Sequence, residues 1–512
     1  MRPVSSTPHG CWRALTLVGA LSFLASCAGG SLAGSAEHRG APRWSVRLLP
    51  GGDVDVGGID TVLCFDGKAP ARVVPEHPGA APYLMDMPLA LDAAGGILGP
   101  LPVDERGIDT AKLPAGACVA FVVDVEAAAK AFDSQALAEV VDRSLLLSPD
   151  VWLWRPDPWP ADVAAGTLVV DSPPAGDEQG DLQLAVPFPI DKAKKAYVVA
   201  ASTFALQSWS AVGRLRERTT VVARKGTTLT ISALGDVGDG IDAATLNAWL
   251  EVAIDDVAAV SGRFPVDHVR VLVLPRAGTR AVLGGFLGRG GGASALFHVG
   301  TGPLKQEDDP ELIDDDGRWV LTHELAHALL PPVRRGDAWL NEGLTTWQQE
   351  RLPVLAGRRP AATATAQLAI GLRTGHHRAV ADGLSLERAC AEMDERRSHQ
   401  HCYWGGAALA VVLANDVGDD GVFALIRALG ATAAFDASAQ PALTLLQAVS
   451  SSPAADPLAR RAASALATLW RQHKNAPFPV DEHGVVRAAG FDSAGFDAAD
   501  TVSVPVDQQD PP

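Results

Sequence analysis

The chain has 512 residues, of which 47% are hydrophobic, and it carries a formal net charge of −17 with a pI near 5.2. A chain of this length can bury several hydrophobic cores, and three domains are expected. No basic cluster interrupts the acidic balance, which excludes a nucleic-acid surface, because such surfaces depend on patches of Lys and Arg.

The first 27 residues have the pattern of an export signal. A basic start is followed by an apolar stretch at 14–24 that is too short to span a bilayer. The sequence LASC at 24–27 resembles the lipobox of bacterial lipoproteins, which implies cleavage and acylation at Cys27. Residues 28–42 then form a flexible tether. We therefore expect an exported protein of the bacterial cell envelope, anchored in the outer membrane by lipid on Cys27, with an ordinary secretory signal as the alternative.

Cysteine usage agrees with export. Cys11 would leave with the signal and Cys27 would carry lipid, so four cysteines remain in an oxidising compartment. Proximity favours the pairs Cys64–Cys118 and Cys390–Cys402. Three pairings are possible, spacing does not decide among them, and four free buried thiols are a further alternative.

Residues 43–225 are predicted to form a mostly β domain. Apolar and polar residues alternate at 44–48 and 182–186, a buried strand is expected at 197–206, and helical character is confined to 125–146. Three tryptophans lie among prolines and are expected in the packed core, although they could instead form a carbohydrate platform: Trp152, Trp154 and Trp159.

The period of the apolar residues then changes. A helix is predicted at 243–260 and a strand at 268–274, followed by six glycines within 284–292. Glycines allow a close approach of the backbone to another group, although a mobile surface loop is the alternative. A second strand at 293–299 could line a cleft and pair with extended substrate.

The sequence HELAH at 323–327 contains candidate metal ligands and a candidate catalytic base. On a helix His323 and His327 lie one turn apart on one face and can share a metal ion, while Glu324 is placed to act as a base toward water. A double proline at 331–332 ends this helix, and a second helix beginning near Trp339 presents Glu342. Two imidazoles and one carboxylate are typical of a catalytic rather than a structural zinc site.

HELAH followed by WLNEG resembles the gluzincin metallopeptidases of the aminopeptidase N family. The resemblance implies a thermolysin-like α+β catalytic domain at 226–415, Zn²⁺ held by His323, His327 and Glu342, and Glu324 as the base. Only 14 residues separate His327 from Glu342, about four fewer than in the family. The shortening falls in a loop, where it is tolerated best.

Tyr403 opens the sequence YWGG, 61 residues beyond Glu342. This segment resembles the Tyr-x-Lys-Gly element of the family, whose tyrosine stabilises the oxyanion of the tetrahedral intermediate. Gly405 stands where the family has lysine. His399 and His401 are alternatives for the same role, and a buried packing tyrosine is the structural alternative.

Two departures from the family concern recognition of the substrate and the support of a ligand histidine. The GAMEN-type motif, whose glutamate binds the free amino group of the substrate, is missing, because no Glu or Asn stands in 284–299. This argues against strict aminopeptidase activity. Gln349 stands where the family has a glutamate that supports a ligand histidine, and it can still accept a hydrogen bond from an imidazole N–H. Thr346 is another candidate for that support.

The remaining segments bear on architecture. The acidic run at 307–316 is expected to be a solvated start of the metal-binding helix, because no calcium-loop spacing is present. Residues 416–475 are predicted to form a helical subdomain, and 476–512 a disordered tail. The predicted fold class is therefore multidomain: a mostly β N-terminal domain, a thermolysin-like α+β catalytic domain and a helical C-terminal subdomain.

The function predicted from these patterns is an exported zinc-dependent metallopeptidase that acts on peptide or protein substrates. One alternative is a catalytically impaired zinc-binding surface lipoprotein, and the other is a zinc hydrolase of a non-peptide bond, because a metal site alone does not choose the substrate. The base Glu324 favours an enzyme. The sequence does not indicate an oligomeric state.

Overall fold

The computed structural model of the protein describes residues 40–132, 137–171, 182–215, 219–238, 240–302, 317–435 and 437–479. The predicted export signal with Cys27, most of the tether, the acidic run at 307–316 and the predicted tail beyond residue 479 lie outside the described residues. None of the described helices combines the length and the hydropathy that a bilayer span requires.

The N-terminal region, up to residue 215, is rich in β-structure. Its described strands are β1 (Pro42–Pro50), β2 (Val56–Phe65), β3 (Arg72–Val74), β4 (Leu89–Leu91), β5 (Ile97–Pro100), β6 (Val103–Asp104), β7 (Gly107–Asp109), β8 (Cys118–Asp124), β9 (Ala138–Val141), β10 (Ser144–Leu147), β11 (Arg155–Asp157), β12 (Ala165–Asp171), β13 (Gln183–Ala185), β14 (Ile190–Asp191), β15 (Ala196–Ala200) and β16 (Ser210–Gly213). Two helices interrupt them, α1 (Val125–Phe132) and α2 (Pro149–Trp152). Within the described ranges these strands form sheets in the orders β14-β15-β12-β1-β2-β8-β4-β5, β13-β16-β10-β9 and β11-β3-β7-β6.

The predicted alternation is seen in β1, where every second residue from Pro42 to Leu48 is buried. The three tryptophans lie in the packed core, as predicted: Trp152 and Trp154 are fully buried, and Trp159 stacks on Trp44 with ring centroids 6.2 Å apart. The predicted helix at 125–146 is wrong beyond Phe132, because β9 and β10 follow as an antiparallel pair. The predicted strand at 197–206 ends at Ala200, where a 3₁₀ turn begins.

A five-stranded sheet follows. Its strands are β17 (Thr219–Arg224), β18 (Thr227–Ala233), β19 (His268–Arg276), β20 (Val282–Gly288) and β21 (Ala293–Gly300), in the order β17-β18-β19-β21-β20 among the described residues. The three inner strands are parallel and both edges are antiparallel. Helix α3 (Ala243–Ala258) precedes β19 and is capped by Asp242, whose Oδ1 accepts a hydrogen bond from the Thr245 N–H at 2.9 Å.

This sheet bears on three inferences drawn from the sequence. The glycine-rich segment is not a surface loop, because its first half is the edge strand β20. The strand predicted at 293–299 is confirmed as β21, but it lies between β19 and β20 and so cannot pair with substrate. The boundary predicted at 225 falls between β17 and β18, which pair with each other, so the five-stranded sheet begins at Thr219.

The N-terminal region packs against this sheet. A buried apolar cluster joins β19 and β21, through Leu272, Leu274 and Leu296, to Trp209 and Leu215 of the N-terminal region. The Trp209 N–H also donates to Ser294 Oγ at 3.0 Å. The second face of the sheet is therefore buried by another part of the chain, as a mostly parallel sheet requires.

The rest of the described chain is helical. Its helices are α4 (Arg318–Ala326), α5 (Ala338–Leu355), α6 (Ala361–Asp382), α7 (Leu386–Ala391), α8 (Met393–Arg396), α9 (His399–Gly430), α10 (Ala442–Ser451) and α11 (Pro457–His473). One hydrophobic cluster runs from β18 to Phe478 and includes the apolar residues of the predicted subdomain at 416–475. Helix α9 passes through the predicted boundary at 415 and is kinked at Gly418, where φ is 75°.

Both disulfides that proximity favoured are formed. Cys64–Cys118 joins β2 to β8 at directly paired positions, and Cys390–Cys402 joins α7 to α9. The second bridge holds α7 against the first turn of α9.

Helices α5 and α9 touch through their backbones. A Cβ placed on Gly343 of α5 would overlap the Gly406 backbone of α9, and a Cβ on Gly406 would overlap the Trp339 carbonyl oxygen. Both positions therefore require glycine because of a close approach, not because of backbone conformation. Glu342 and Tyr403 lie beside these glycines, so this contact sets the distance between the two helices at the candidate site.

We predict that Gly343→Ala lowers the free energy of unfolding by about 1–3 kcal/mol, because the added methyl group forces the two helix backbones apart. The effect should be measured by urea denaturation. Gly336→Ala is the matched control, since nothing lies within 4 Å of a Cβ at that position. A Gly343→Ala protein as stable as the control would contradict the close contact.

Candidate metal centre

The HELAH segment occupies the end of α4 and the turn that follows it. His323 lies in α4, and His327 begins a 3₁₀ turn with φ −53° and ψ −27°, so the chain continues in a right-handed spiral. Both histidines are buried, and their ring centroids are 5.1 Å apart. Helical spacing thus places the two imidazoles side by side, as expected for HExxH.

Glu342 completes a group of three. Its Oε2 atom lies 3.4 Å from His323 Nε2 and 3.4 Å from His327 Nε2. The ligand atoms of the three residues all lie within 4.8 Å of one another. The structure therefore brings together the three residues that were predicted as metal ligands, despite the shortened loop before Glu342.

The outer nitrogens of both imidazoles face hydrogen-bond acceptors. His323 Nδ1 lies 2.8 Å from Gln349 Oε1, and His327 Nδ1 lies 3.2 Å from Asn341 Oδ1 and 3.3 Å from Thr345 Oγ1. We assign the proton to Nδ1 in both rings, because the amide oxygens can only accept. The Nε2 lone pairs then face the Glu342 carboxylate, which is the orientation that metal binding needs.

Two of these supporting residues were not predicted from the sequence. Asn341 and Thr345 lie four residues apart and continue to Gln349, so they form one polar stripe along α5 that faces the histidines. That period of four was the signal that could have revealed them. The candidate Thr346 was wrong as support for a histidine, since its buried hydroxyl has no hydrogen-bond partner among the described residues.

The Glu342 carboxylate fits a metal ligand. Its buried Oε2 has no well-aligned hydrogen-bond donor in the described part of the chain. Burial pushes the pKa of Glu342 upward, but when no metal is bound and the imidazoles of His327 and His323 are protonated, they outweigh burial and hold it well below the usual range. The Glu342 carboxylate and the two imidazole nitrogens together form the kind of donor set that zinc prefers.

Glu324 lies against the edge strand β20. A Cβ on Gly285 would lie 2.7 Å from Glu324 Cγ, so the glycine allows the strand to reach the carboxylate. Burial raises the pKa of Glu324 to about 7; His323 opposes this rise, Glu342 adds to it, and a hydrogen bond from the Leu287 N–H opposes it. A carboxyl group with a pKa near neutrality can both accept and return a proton.

Tyr403 lies beside the ligands. Its ring stacks on the His323 ring, with centroids 5.7 Å apart and planes 27° apart. Burial, Glu342, Glu324 and Asp394 all raise the pKa of Tyr403 well above its usual value, so its hydroxyl stays protonated and can donate.

The two alternatives to Tyr403 have other partners. His401 is fully buried and its Nε2 lies 2.6 Å from the Pro477 carbonyl oxygen, away from the site. His399 packs edge-on against Tyr403, with ring centroids 6.2 Å apart, and contacts Asp394 at 3.1 Å. The missing lysine has a packing reason: a side chain at Gly405 would meet the buried Leu386.

Arg289 supports the site from the turn after β20. The residue is 6% exposed, and its guanidinium donates to the carbonyl oxygens of His327 and Phe435 and lies over the Phe435 ring at 4.7 Å. Burial lowers the pKa of Arg289 to about 10, so the group remains charged at neutral pH. A cation at the carbonyl end of the metal-binding helix is favoured by the helix dipole. No pattern in the sequence predicts this contact.

No protein-family model and no curated protein matches this chain. An aminopeptidase N family protein from Idiomarina loihiensis superposes with a TM-score of 0.50 at 12% identity, over 89% of this chain and 75% of that chain. A two-domain M1 zinc metallopeptidase, as a mutant bound to L-arginine, superposes with a TM-score of 0.51 at 16% identity, over 87% of this chain and 97% of that chain. The chain therefore has a fold similar to that of M1 zinc metallopeptidases: a β-rich N-terminal region and a helical C-terminal region.

We predict that the purified protein contains about one zinc ion per chain and that His323→Ala, His327→Ala and Glu342→Ala each abolish it, because three donors are the minimum for such a site. Metal content should be measured by mass spectrometry after dialysis. The control is His377→Ala, which removes an exposed histidine from α6. Full zinc occupancy in the His327→Ala protein would overturn the ligand assignment.

Proposed function

We propose that the chain is a zinc-dependent metallopeptidase that hydrolyses peptide bonds. The observation that carries the proposal is the convergence of His323, His327 and Glu342 on one point, with Glu324 beside it. Three protein donors leave a coordination position for water, which is typical of catalytic zinc. The fold shared with zinc metallopeptidases, one of them bound to L-arginine, supports a substrate made of amino acids.

Each catalytic side chain has a defined task. Bound zinc would polarise the attacking water and the scissile carbonyl. Glu324 accepts the proton of the water and delivers it to the leaving amine, a role that suits a pKa near 7. The protonated Tyr403 hydroxyl donates a hydrogen bond to the developing oxyanion, a contact typically worth about 3 kcal/mol.

Strand β20 is placed to align the substrate. It is the edge of its sheet, and the Leu287 N–H already points outward to Glu324. Backbone groups of the same alternation, such as those of Gly285, face the same side and can pair with an extended peptide. The peptide bond would thereby be held next to the base.

We predict that Glu324→Gln retains zinc and lowers the rate of peptide hydrolysis by about 10²–10⁴-fold, because an amide cannot accept the proton of water. Zinc content and turnover of a peptide library should be measured on the same preparation. Unchanged turnover would mean that another group is the base. Cleavage of esters without cleavage of peptides in the unaltered protein would favour a hydrolase of non-peptide bonds.

The proposed specificity follows from the missing carboxylate. Strand β20 and the turn after it contain glycine, apolar residues and Arg289, but no acid that could meet the ammonium group of a free N-terminus. An ammonium group buried there would remain unpaired, which is costly. We therefore propose that the enzyme does not require a free α-amino group.

We predict that an N-acetylated peptide is cleaved at least as fast as the same peptide with a free amino group. The reason is that β20 contains no acid that could pair with the ammonium group. The measurement is kcat/KM for the two peptides under identical conditions. A strong preference for the free amine would show that an acid outside β20 recognises it.

We also propose that the protein is exported and held to the membrane by lipid on Cys27, which rests on the lipobox-like sequence at 24–27. Loss of the acyl anchor should move the Cys27→Ser protein from the detergent phase to the aqueous phase on partitioning, because the acyl chains would supply its affinity for the membrane. A Cys27→Ser protein that stays in the detergent phase contradicts the proposal.

A further inference from the structure

A chain of polar contacts leads from His323 away from the metal centre. Beyond the 2.8 Å contact between His323 Nδ1 and Gln349 Oε1, Gln349 Nε2 donates to Glu350 Oε1 at 3.2 Å. The other carboxylate oxygen of Glu350 accepts from Arg359 Nη1 at 2.7 Å. Gln349 and Glu350 are each 5% exposed, so these contacts are shielded from solvent.

The direction of the Gln349 amide decides whether His323 can bind a metal. With its oxygen toward the ring, the amide accepts the proton of Nδ1 and leaves the Nε2 lone pair free. With its NH₂ group toward the ring, it would favour a proton on Nε2, which blocks coordination. An amide is nearly symmetrical in shape, so packing alone distinguishes the two directions poorly.

Glu350 determines which way the Gln349 amide points. An ionised carboxylate can only accept hydrogen bonds, so it draws the NH₂ group of Gln349 toward itself and turns the amide oxygen toward His323. Arg359 holds the carboxylate in place through a charge-assisted bond. In a site with little water such a linked network is stronger than its separate bonds.

We propose that Glu350, held by Arg359, is a positioning residue of the metal centre that acts on His323 through the Gln349 amide. In this arrangement the Glu350 carboxylate orients the histidine indirectly, through the amide of the preceding residue. The inference rests on the metal site of the proposed function.

The first test is the zinc affinity of Glu350→Gln, measured on apoprotein by competition with a chromophoric chelator. A glutamine at 350 can face Gln349 with either its oxygen or its NH₂ group, so the bias on the amide is lost. We expect the zinc dissociation constant to rise by about tenfold or more.

The second test exchanges the two residues. In the double variant Q349E/E350Q, the carboxylate at 349 accepts directly from His323 Nδ1, and the amide at 350 donates to that carboxylate and accepts from Arg359. Composition and net charge are unchanged. We expect zinc affinity to return to within about threefold of the unaltered protein, which a merely structural role of Glu350 would not produce.

The control is Asp419→Asn, which breaks another ion pair of α5, the 3.6 Å contact between Arg351 and Asp419, and should leave zinc affinity unchanged. If Glu350→Gln does not fold, Gln349→Met removes the amide while leaving Arg359 paired, and the same loss of affinity is expected. The proposal is overturned if Glu350→Gln binds zinc with normal affinity. Where only Gln349→Met folds, normal zinc affinity in that variant overturns it. A double variant that binds zinc as weakly as Glu350→Gln also overturns it. If the unaltered protein binds no zinc, the proposed function itself fails.

Discussion

The contact between Gly343 and Gly406 is the constraint on which the candidate site depends most. Helix α5 carries Glu342 and the polar stripe that supports both histidines, and α9 carries Tyr403. Because the two backbones touch, Glu342 and Tyr403 are held on adjoining helices, and both lie against His323. The neighbouring stack of Trp339 on Trp470, with centroids 4.2 Å apart, fixes the other side of α5. Gly343 of WLNEG therefore contributes to the metal centre because its lack of a side chain lets α5 and α9 approach closely.

The two carboxylates of the site have opposite protonation preferences for one physical reason. Burial raises the pKa of both Glu324 and Glu342. Glu342 faces two imidazoles, which reverse the effect, whereas Glu324 gains less from His323 and stands beside a second acid. The surroundings of the two carboxylates thus lower the pKa of Glu342 and raise that of Glu324.

The parts that were predictable from sequence are those governed by local periodicity. His323, Glu324, His327 and Glu342 could be placed because the helical turn fixes which side chains share a face. Topology was not predictable: β21 looked like the substrate strand, but only the order of the sheet shows that β20 is the edge. Thr346 was one residue away from Thr345, and one residue turns a side chain by about 100° around a helix. Arg289 and Glu350 act through contacts whose partners are distant in sequence or depend on side-chain direction, which no spacing rule encodes.

The apolar contact between the N-terminal region and the five-stranded sheet has a consequence for how the protein comes apart. In many mostly parallel sheets both faces are covered by helices, but here Trp209 and Leu215 cover Leu272, Leu274 and Leu296. A proteolytic cut between the two halves would therefore not release a free-standing catalytic fragment. It would leave a sheet with one apolar face exposed to water, and such a face favours self-association.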